Sequence, residues 1–241
     1  MRTDGRWLQD NAGRALILRG VNVSGSAKVP AIPAGDSRSR DALLHPESVS
    51  FVGKPIPLDV ADEHFARLRA FGHRLLRLVV TWEAIEHAGP GLYDVEYLAY
   101  LRALIERAAQ YDLQIFVDPH QDVWSRWTGG DGAPAWTLDL VGIRTDKLVP
   151  CGAAIVSAYF DGPLPTMIWP TNYTKLGAAT MFTLLFAGND FAPSLTIEGE
   201  SISAFLQRHY VSALVALATA LRGLPNVTGY GTMNEPSAGL I

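Results

Sequence analysis

Short apolar runs alternate with longer amphipathic segments along most of the chain. The clearest run, residues 75–80, is continuous apart from one arginine, which is typical of a strand buried on both faces of a parallel sheet. Three other segments have strand character, and the last of them stops on an Asn-Glu-Pro step. In chain order, the predicted strands are residues 15–23, 75–80, 114–118 and 227–236.

Between these strands, apolar residues recur every three or four positions, which predicts amphipathic helices. The first helix carries Phe65, Leu68 and Phe71 on one side and is expected to end at Gly72. Further helices are expected over residues 94–111, 177–186 and 201–224.

The remaining segments are a hairpin and two long loops. Turn residues 10–13 lie between apolar residues 6–9 and 15–18, which predicts an N-terminal hairpin. The stretches from about 24 to 57 and from 125 to 196 are rich in Gly and Pro, and we expect them to be loop excursions. A connection as long as the second is usually functional.

Alternation of strands and helices predicts an α/β fold with a parallel sheet. Periodicity does not choose between a barrel and a doubly wound sheet. The loop Gly20–Gly25 has only two of the three glycines of a dinucleotide-binding fingerprint, so it gives the second alternative no support. No short repeat or low-complexity tract divides the chain, and residues 1–241 are expected to form one domain.

Composition and charge exclude several classes of function. The chain has 241 residues, of which 48% are hydrophobic and 18% charged, and its net charge of -4 does not support nucleic-acid binding. One cysteine excludes an intramolecular disulfide framework and a Cys-rich zinc site. The start has no signal-peptide core, and no apolar run is long enough to span a bilayer. These features predict a cytoplasmic protein without an integral membrane segment.

Polar side chains gather where the predicted strands end. In parallel α/β folds the carboxyl ends of the strands carry the chemistry. In strand order, the polar residues and nearby tryptophans are Asn22, Ser24 and Lys28, then Arg77, Trp82 and Glu83, then His120, Asp122 and Trp124, and finally Asn234 and Glu235.

Each polar residue also has an ordinary structural interpretation. Arg77 could be a buried ion-pair partner, His120 and Asp122 a capping pair, and Glu235 a solvated turn residue. The combination with tryptophans on exposed loops suits a sugar site better. Aromatic faces pack on a pyranose ring, while acids, amides and lysine hold its hydroxyls.

A metal site at His120 and Asp122 is the weaker alternative. Catalytic zinc usually has three protein ligands, typically including more than one histidine. None of the other five histidines lies at these strand ends. We therefore expect neither a metal nor a cofactor.

Arg77 in a strand, His120 after the next strand and Asn234-Glu235 after the following one resemble glycoside hydrolase family 5, a (β/α)8 TIM-barrel family. Further motifs resemble its endoglycoceramidase-like branch, and two of them resemble the fungal-type β-glucosidases that cleave glucosylceramide and steryl glucosides. The motifs of the branch are 20–22, 26–28, 81–86 and 118–126, and those of the fungal-type enzymes are 129–134 and 169–175.

The resemblance implies a role for each strand-end residue. Glu235 would be the general acid/base, and Asn234 would hydrogen-bond the sugar 2-hydroxyl. Arg77 would hold a nucleophilic carboxylate ionised. Glucose hydroxyls and the site wall would be contacted by Lys28, His120, Asp122 and Trp124. The implied partner is a glucoside or glycolipid, within carbohydrate and sphingolipid metabolism.

Only about four βα units and an N-terminal hairpin are predicted, whereas in the family the nucleophile follows the seventh strand. We therefore expect the N-terminal half of a retaining β-glucosidase, inactive by itself. Three alternatives remain open. The half-barrel could be completed by a second polypeptide or by self-association through its open strand edges. It could be an inactive remnant that binds glycolipid, or it could belong to another family 5 glycanase.

Overall fold

The computed structural model describes residues 2–23, 25–33, 39–160, 162–163 and 168–240. Ser24, one of the predicted polar groups after the first sheet strand, lies outside this part of the chain. Within it, no helix is both long enough and apolar enough to cross a bilayer.

A four-stranded parallel sheet is the centre of the fold. It consists of β3 (Gly20–Val23), β4 (Leu75–Thr81), β5 (Gln114–His120) and β8 (Val227–Tyr230), in that order across the sheet. The predicted parallel α/β sheet is confirmed. Strand order follows chain order without the reversal that a doubly wound sheet requires, as expected for consecutive strands of a barrel.

Two small antiparallel pairs accompany the sheet. Strands β1 (Arg2–Asp4) and β2 (Trp7–Gln9) form one pair, and β6 (Thr196–Ile197) and β7 (Glu200–Ser201) form the other. The predicted N-terminal hairpin is therefore misplaced: its turn was expected at residues 10–13, but the turn between β1 and β2 lies at residues 5–6. The segment 15–18 is joined to β2 by a bridge between Gln9 and Ala15 and by a 2.7 Å hydrogen bond from Leu16 N to Leu8 O.

Helices occupy the connections between the strands. In the described residues they are α1 Asp41–Leu44, α2 Ala61–Ala70, α3 Trp82–Glu86, α4 Val95–Ala109, α5 Trp136–Leu140, α6 Thr145–Leu148, α7 Ile168–Thr171, α8 Leu176–Phe191 and α9 Ile202–Ala220. Short 3-10 turns lie at Gly25–Lys28, Pro46–Ser48, Arg126–Thr128, Ser157–Tyr159 and Asn172–Thr174.

Local chemistry explains where the long helices begin and end. Asp94 caps α4 by accepting a 2.8 Å hydrogen bond from Tyr97 N. Helix α2 ends where Gly72 adopts φ +85°, as predicted. Phe71 does not share the buried face of Phe65, because it follows the last helical residue and its side chain is 71% exposed.

Strands β4 and β5 differ from β3 and β8 in burial. Most of β4 and β5 is buried, whereas β3 and β8 are partly exposed. Pro119 was predicted to end the third sheet strand, but it pairs in register with Val80 inside β5. Its carbonyl oxygen accepts a 3.0 Å hydrogen bond from Asn234 N, so Pro119 still contributes an acceptor where the chain leaves β8. The strand ends thus converge on one edge of the sheet.

Candidate active site

Arg77, inside β4, connects this strand to β5 and to the segment after β8. Its NH2 group donates a 2.8 Å hydrogen bond to Asn234 Oδ1 and lies 2.7 Å from Asp118 Oδ2. Asp118 lies inside β5 and Asn234 follows β8, so the guanidinium fixes the segment after β8 against β4 and β5. Asn22 pairs in register with Arg77, but it is exposed on the edge strand.

His120 continues this network toward the loop after β5. Its Nδ1 lies 3.0 Å from Asp118 Oδ2 and its Nε2 lies 3.3 Å from Asp122 Oδ2. Burial alone would lower the pKa of His120, but the hydrogen bonds to the two carboxylates outweigh it and raise the pKa to about 9. The ring is therefore an imidazolium at neutral pH, with both N–H groups directed at carboxylates.

Lys28 closes the network from the loop after β3. Its ammonium contacts the Asp122 carboxylate and lies 3.4 Å from Asp131 Oδ2. Burial opposes ionisation of Asp122, but the hydrogen bonds from His120 and Lys28 prevail and lower its pKa. Burial raises the pKa of Asp131, whose Oδ1 is buried without a hydrogen-bond partner in the described residues.

His120, Asp122 and Asp131 could in principle ligate a metal, because one ligand atom from each lies within 4.8 Å of the others. However, the Lys28 ammonium already contacts both carboxylates. A divalent ion would meet this positive charge and the His120 imidazolium at close range. The residues present fit a charged hydrogen-bonding cluster better than a metal centre.

Glu235 lies on an irregular turn after β8. The strand was predicted to continue to the Asn-Glu-Pro step, but it ends at Tyr230. Glu235 has φ +37°, a left-handed conformation that is uncommon for a residue other than glycine. Its side chain is exposed, and within the described residues its carboxylate has no hydrogen-bond or ion-pair partner. The carboxylate is therefore free to meet a ligand.

Trp82 and Trp124 were expected on exposed loops, which is wrong: they are 4% and 2% exposed. Trp124 Nε1 donates to Thr137 Oγ1 at 3.0 Å, and its ring packs edge-on against Phe182 at 5.4 Å. Trp124 thus supports the site from beneath, and direct contact with a sugar stays a prediction for it.

Glu83 and Glu86 have structural partners behind the strand ends. The Arg126 guanidinium donates two hydrogen bonds, of 2.6 and 2.8 Å, to the Glu83 carboxylate. Glu86 accepts a 2.6 Å hydrogen bond from Trp82 Nε1, and its other oxygen lies 2.9 Å from His209 Nδ1. Neither glutamate is available to a ligand.

Two site residues were not identified from the sequence. Asp131 and Gln121 lie inside motifs that resemble the family. Within 118–126, however, site roles were predicted for His120, Asp122 and Trp124, and within 129–134 for no residue. The bridge between Asp122 and Asp131, made by two 3.0 Å backbone hydrogen bonds, brings Asp131 to Lys28. Such a contact between segments cannot be inferred from residue spacing.

Comparison with known proteins supports the family resemblance. No family model matches the chain. The glucosylceramidase of Rhizopus delemar is 50% identical over 243 residues, which is 98% of this chain and 35% of that protein.

Among solved structures, sterylglucosidase 1 of Cryptococcus neoformans aligns with a TM-score of 0.93 and 42% identity, over 98% of this chain and 35% of that one. Endo-glycoceramidase II of Rhodococcus sp. aligns with a TM-score of 0.65 and 25% identity, over 98% of this chain and 43% of that one.

These structural neighbours are TIM-barrel enzymes, and the four parallel strands are consistent with part of such a barrel. The chain spans about a third of the length of the curated relatives it matches. The resemblance seen in the motifs is confirmed: this chain is homologous to glucosylceramidases and steryl β-glucosidases of the endoglycoceramidase-like branch of glycoside hydrolase family 5.

Proposed function

We propose that this chain forms the acid/base side of the active site of a retaining β-glucosidase that acts on lipid β-glucosides, glucosylceramide or steryl glucoside. The observation that carries the proposal is the 2.8 Å hydrogen bond between Arg77 and Asn234, which holds the Asn-Glu pair at the strand ends. The substrate class follows the relatives, named glucosylceramidase and ergosteryl-beta-glucosidase.

In this proposal Glu235 donates its proton to the glycosidic oxygen as the bond to the sugar breaks, and later takes a proton from the attacking water. Arg77 donates to Asn234 Oδ1, so the amide NH2 must point the other way. One of its two N–H groups donates to Gln121 O at 3.2 Å. The other remains available for the sugar 2-hydroxyl.

The charged cluster is suited to holding further glucose hydroxyls. Lys28 has three N–H donors. Two of them can serve the carboxylates of Asp122 and Asp131, and the third can reach a hydroxyl oxygen. Asp122 stays ionised and accepts hydrogen bonds, while His120 keeps it in place. Fixed groups of this kind orient a sugar without rearrangement on binding.

The second carboxylate of a retaining site is not found in this cluster. A nucleophile must lie roughly 5–5.5 Å from the acid/base. Asp118 is held by Arg77 and His120, and Asp122 and Asp131 are held by Lys28. We therefore propose that the nucleophile comes from outside the described residues, on a further strand of an eight-stranded barrel.

The same observation favours a second candidate. A chain that holds glucose but has no free nucleophile would bind a glycolipid without hydrolysing it. Incubating the 241-residue chain with a 4-nitrophenyl β-glucoside tests the premise that both candidates share, that the chain has no nucleophile of its own. We expect no turnover, and turnover that Glu235→Gln abolishes would show that the nucleophile is within the chain after all.

A chimera tests the proposed function directly. This chain replaces the homologous third of the Cryptococcus neoformans sterylglucosidase, whose fold it matches. We expect steryl glucoside hydrolysis, and Glu235→Gln should lower kcat by about 10²–10⁴-fold. The matched control is Glu198→Gln, since Glu198 is another exposed glutamate with positive φ, +52°. A folded but inactive chimera, or equal losses for the two variants, would contradict the proposal.

A further inference from the structure

The direction of the Glu235 side chain is set by its backbone. Within the described residues, its carboxylate has no hydrogen-bond or ion-pair partner to hold it. The residue adopts φ +37°, which a side chain such as glutamate tolerates only where the surroundings impose it. Whatever fixes the peptide groups on either side of Glu235 therefore also aims the carboxylate.

Gln121 is the residue that fixes these peptide groups. Its side-chain Nε2 donates a 2.6 Å hydrogen bond to Asn234 O and a 2.9 Å hydrogen bond to Glu235 O. One amide group thus holds two consecutive carbonyls, and with them the plane of the peptide that joins Asn234 to Glu235. Tyr173 adds only a weak contact, with its hydroxyl 3.4 Å from Glu235 O.

Gln121 is itself held in a single orientation. Its Oε1 accepts a 3.1 Å hydrogen bond from Trp124 N, which prevents the amide from flipping. The residue is 6% exposed, so water does not compete for these bonds. Gly132 packs so closely that an added Cβ would lie 2.4 Å from Gln121 Cβ. Both donors and the acceptor of the side chain are therefore used.

We propose that Gln121 is a positioning residue that aims the Glu235 carboxyl at the glycosidic oxygen by clamping the Asn234 and Glu235 carbonyls. This inference rests on the proposed function, because it assigns Gln121 a role in the acid step. Gln121 does not touch the substrate and acts only through the backbone of the turn.

Two substitutions remove the clamp in different ways. Gln121→Glu keeps the size and the acceptor for Trp124 N, but it places a carboxylate oxygen against two carbonyls. Gln121→Met removes the donors without adding a charge and is the safer variant for folding. Both variants keep the Glu235 carboxyl, but its orientation is no longer fixed by the hydrogen bonds from residue 121.

The test compares two substrates in the chimera described above. A general acid is needed to expel a sterol alkoxide but hardly needed to expel a dinitrophenolate, which leaves without protonation. For a steryl glucoside we expect kcat/KM to fall about 100-fold in both variants, as for a misplaced catalytic group. For a 2,4-dinitrophenyl β-glucoside we expect a fall of less than about threefold, since the acid contributes little there.

The ratio of the two values separates positioning from a loss of folded protein, which would lower both equally. The matched control is Gln207→Glu, because Gln207 Nε2 also donates twice, to Leu185 O at 2.7 Å and Ser203 Oγ at 3.1 Å, but on helix α9. We expect an unchanged ratio for it.

Equal losses on both substrates for the Gln121 variants would overturn the inference. An unmutated chimera inactive on both substrates would instead overturn the proposed function, and the inference with it.

Discussion

The glutamates of helix α3 and the glutamate after β8 show how differently one fold treats the same chemical group. Glu83 and Glu86 are 1% and 0% exposed, and each has at least two hydrogen-bond donors around its carboxylate. Glu235 is exposed, and its carboxylate has no partner within the described residues.

This difference separates structural carboxylates from a reactive one. A buried charge is tolerated only when it is paired and hydrogen-bonded, and burial closes such a carboxylate to a substrate. A general acid must exchange a proton with a ligand, so it needs an open position. The residues after β4 and β8 look equivalent from their place at strand ends, and only their surroundings distinguish them.

The largest expected effect comes from breaking the structural side of this comparison. Arg126→Met leaves the Glu83 carboxylate buried without its bidentate partner. We expect the free energy of unfolding to fall by about 3–5 kcal/mol, as for other buried ion pairs that lose one member. Denaturant-induced unfolding of the 241-residue chain measures it.

The control for this prediction is the exposed pair of Arg208 and Glu200, whose charged atoms lie 2.7 Å apart. Arg208→Met removes the same side-chain charge, and we expect it to cost less than about 1 kcal/mol because solvent screens the pair. Similar losses at the two positions would mean that Glu83 is no more dependent on its partner than a surface residue.

A second, smaller effect is expected from the charged cluster. The folded-state pKa of His120 is raised to about 9, because its imidazole is hydrogen-bonded to Asp118 and Asp122 and these bonds outweigh the effect of burial. Its contribution to stability is therefore fully present below its unfolded pKa of about 6.5 and is lost as the pH rises through about 9. A shift of this size is worth at most about 3.5 kcal/mol.

This effect is measured as the difference in the free energy of unfolding between the wild type and His120→Gln, from pH 6 to 9.5. We expect the difference to be largest at pH 6 and to shrink toward pH 9.5. Lys28 and Asp131 also face this ring, and their charges change the size of the effect but not its direction. A difference that increases with pH would show that His120 is neutral in the folded protein.

The sequence was sufficient for the parts of the fold that depend on local patterns. Apolar runs located β4 and β5 closely, the predicted strands 15–23 and 227–236 overlapped β3 and β8 only in part, and Gly72 located the end of α2. Pro119 was misleading because proline removes a donor but not the strand conformation: Pro119 pairs in register with Val80, and its carbonyl accepts from Asn234 N.

The parts of the site that could not be predicted depend on contacts between distant segments. Gln121 and Asn234 are joined only after folding, and so are Lys28 and Asp131. Trp124 was expected on an exposed loop beside a sugar site, yet Val123 and Trp124 both adopt positive φ and the indole is buried in the core. Strained backbone of this kind has no signature in residue type when the residue is not glycine.

The smallest expected effect concerns Glu235 itself. Glu235→Gln should change the free energy of unfolding by less than about 0.5 kcal/mol, because it alters an exposed group without a described partner. The same substitution at Glu83 should cost about 1–3 kcal/mol, since it leaves a buried arginine donor unsatisfied. Both values come from unfolding of the 241-residue chain at neutral pH. A loss at position 235 as large as that at position 83 would mean that the Glu235 carboxylate is held within the fold, and its role as a free acid would be wrong.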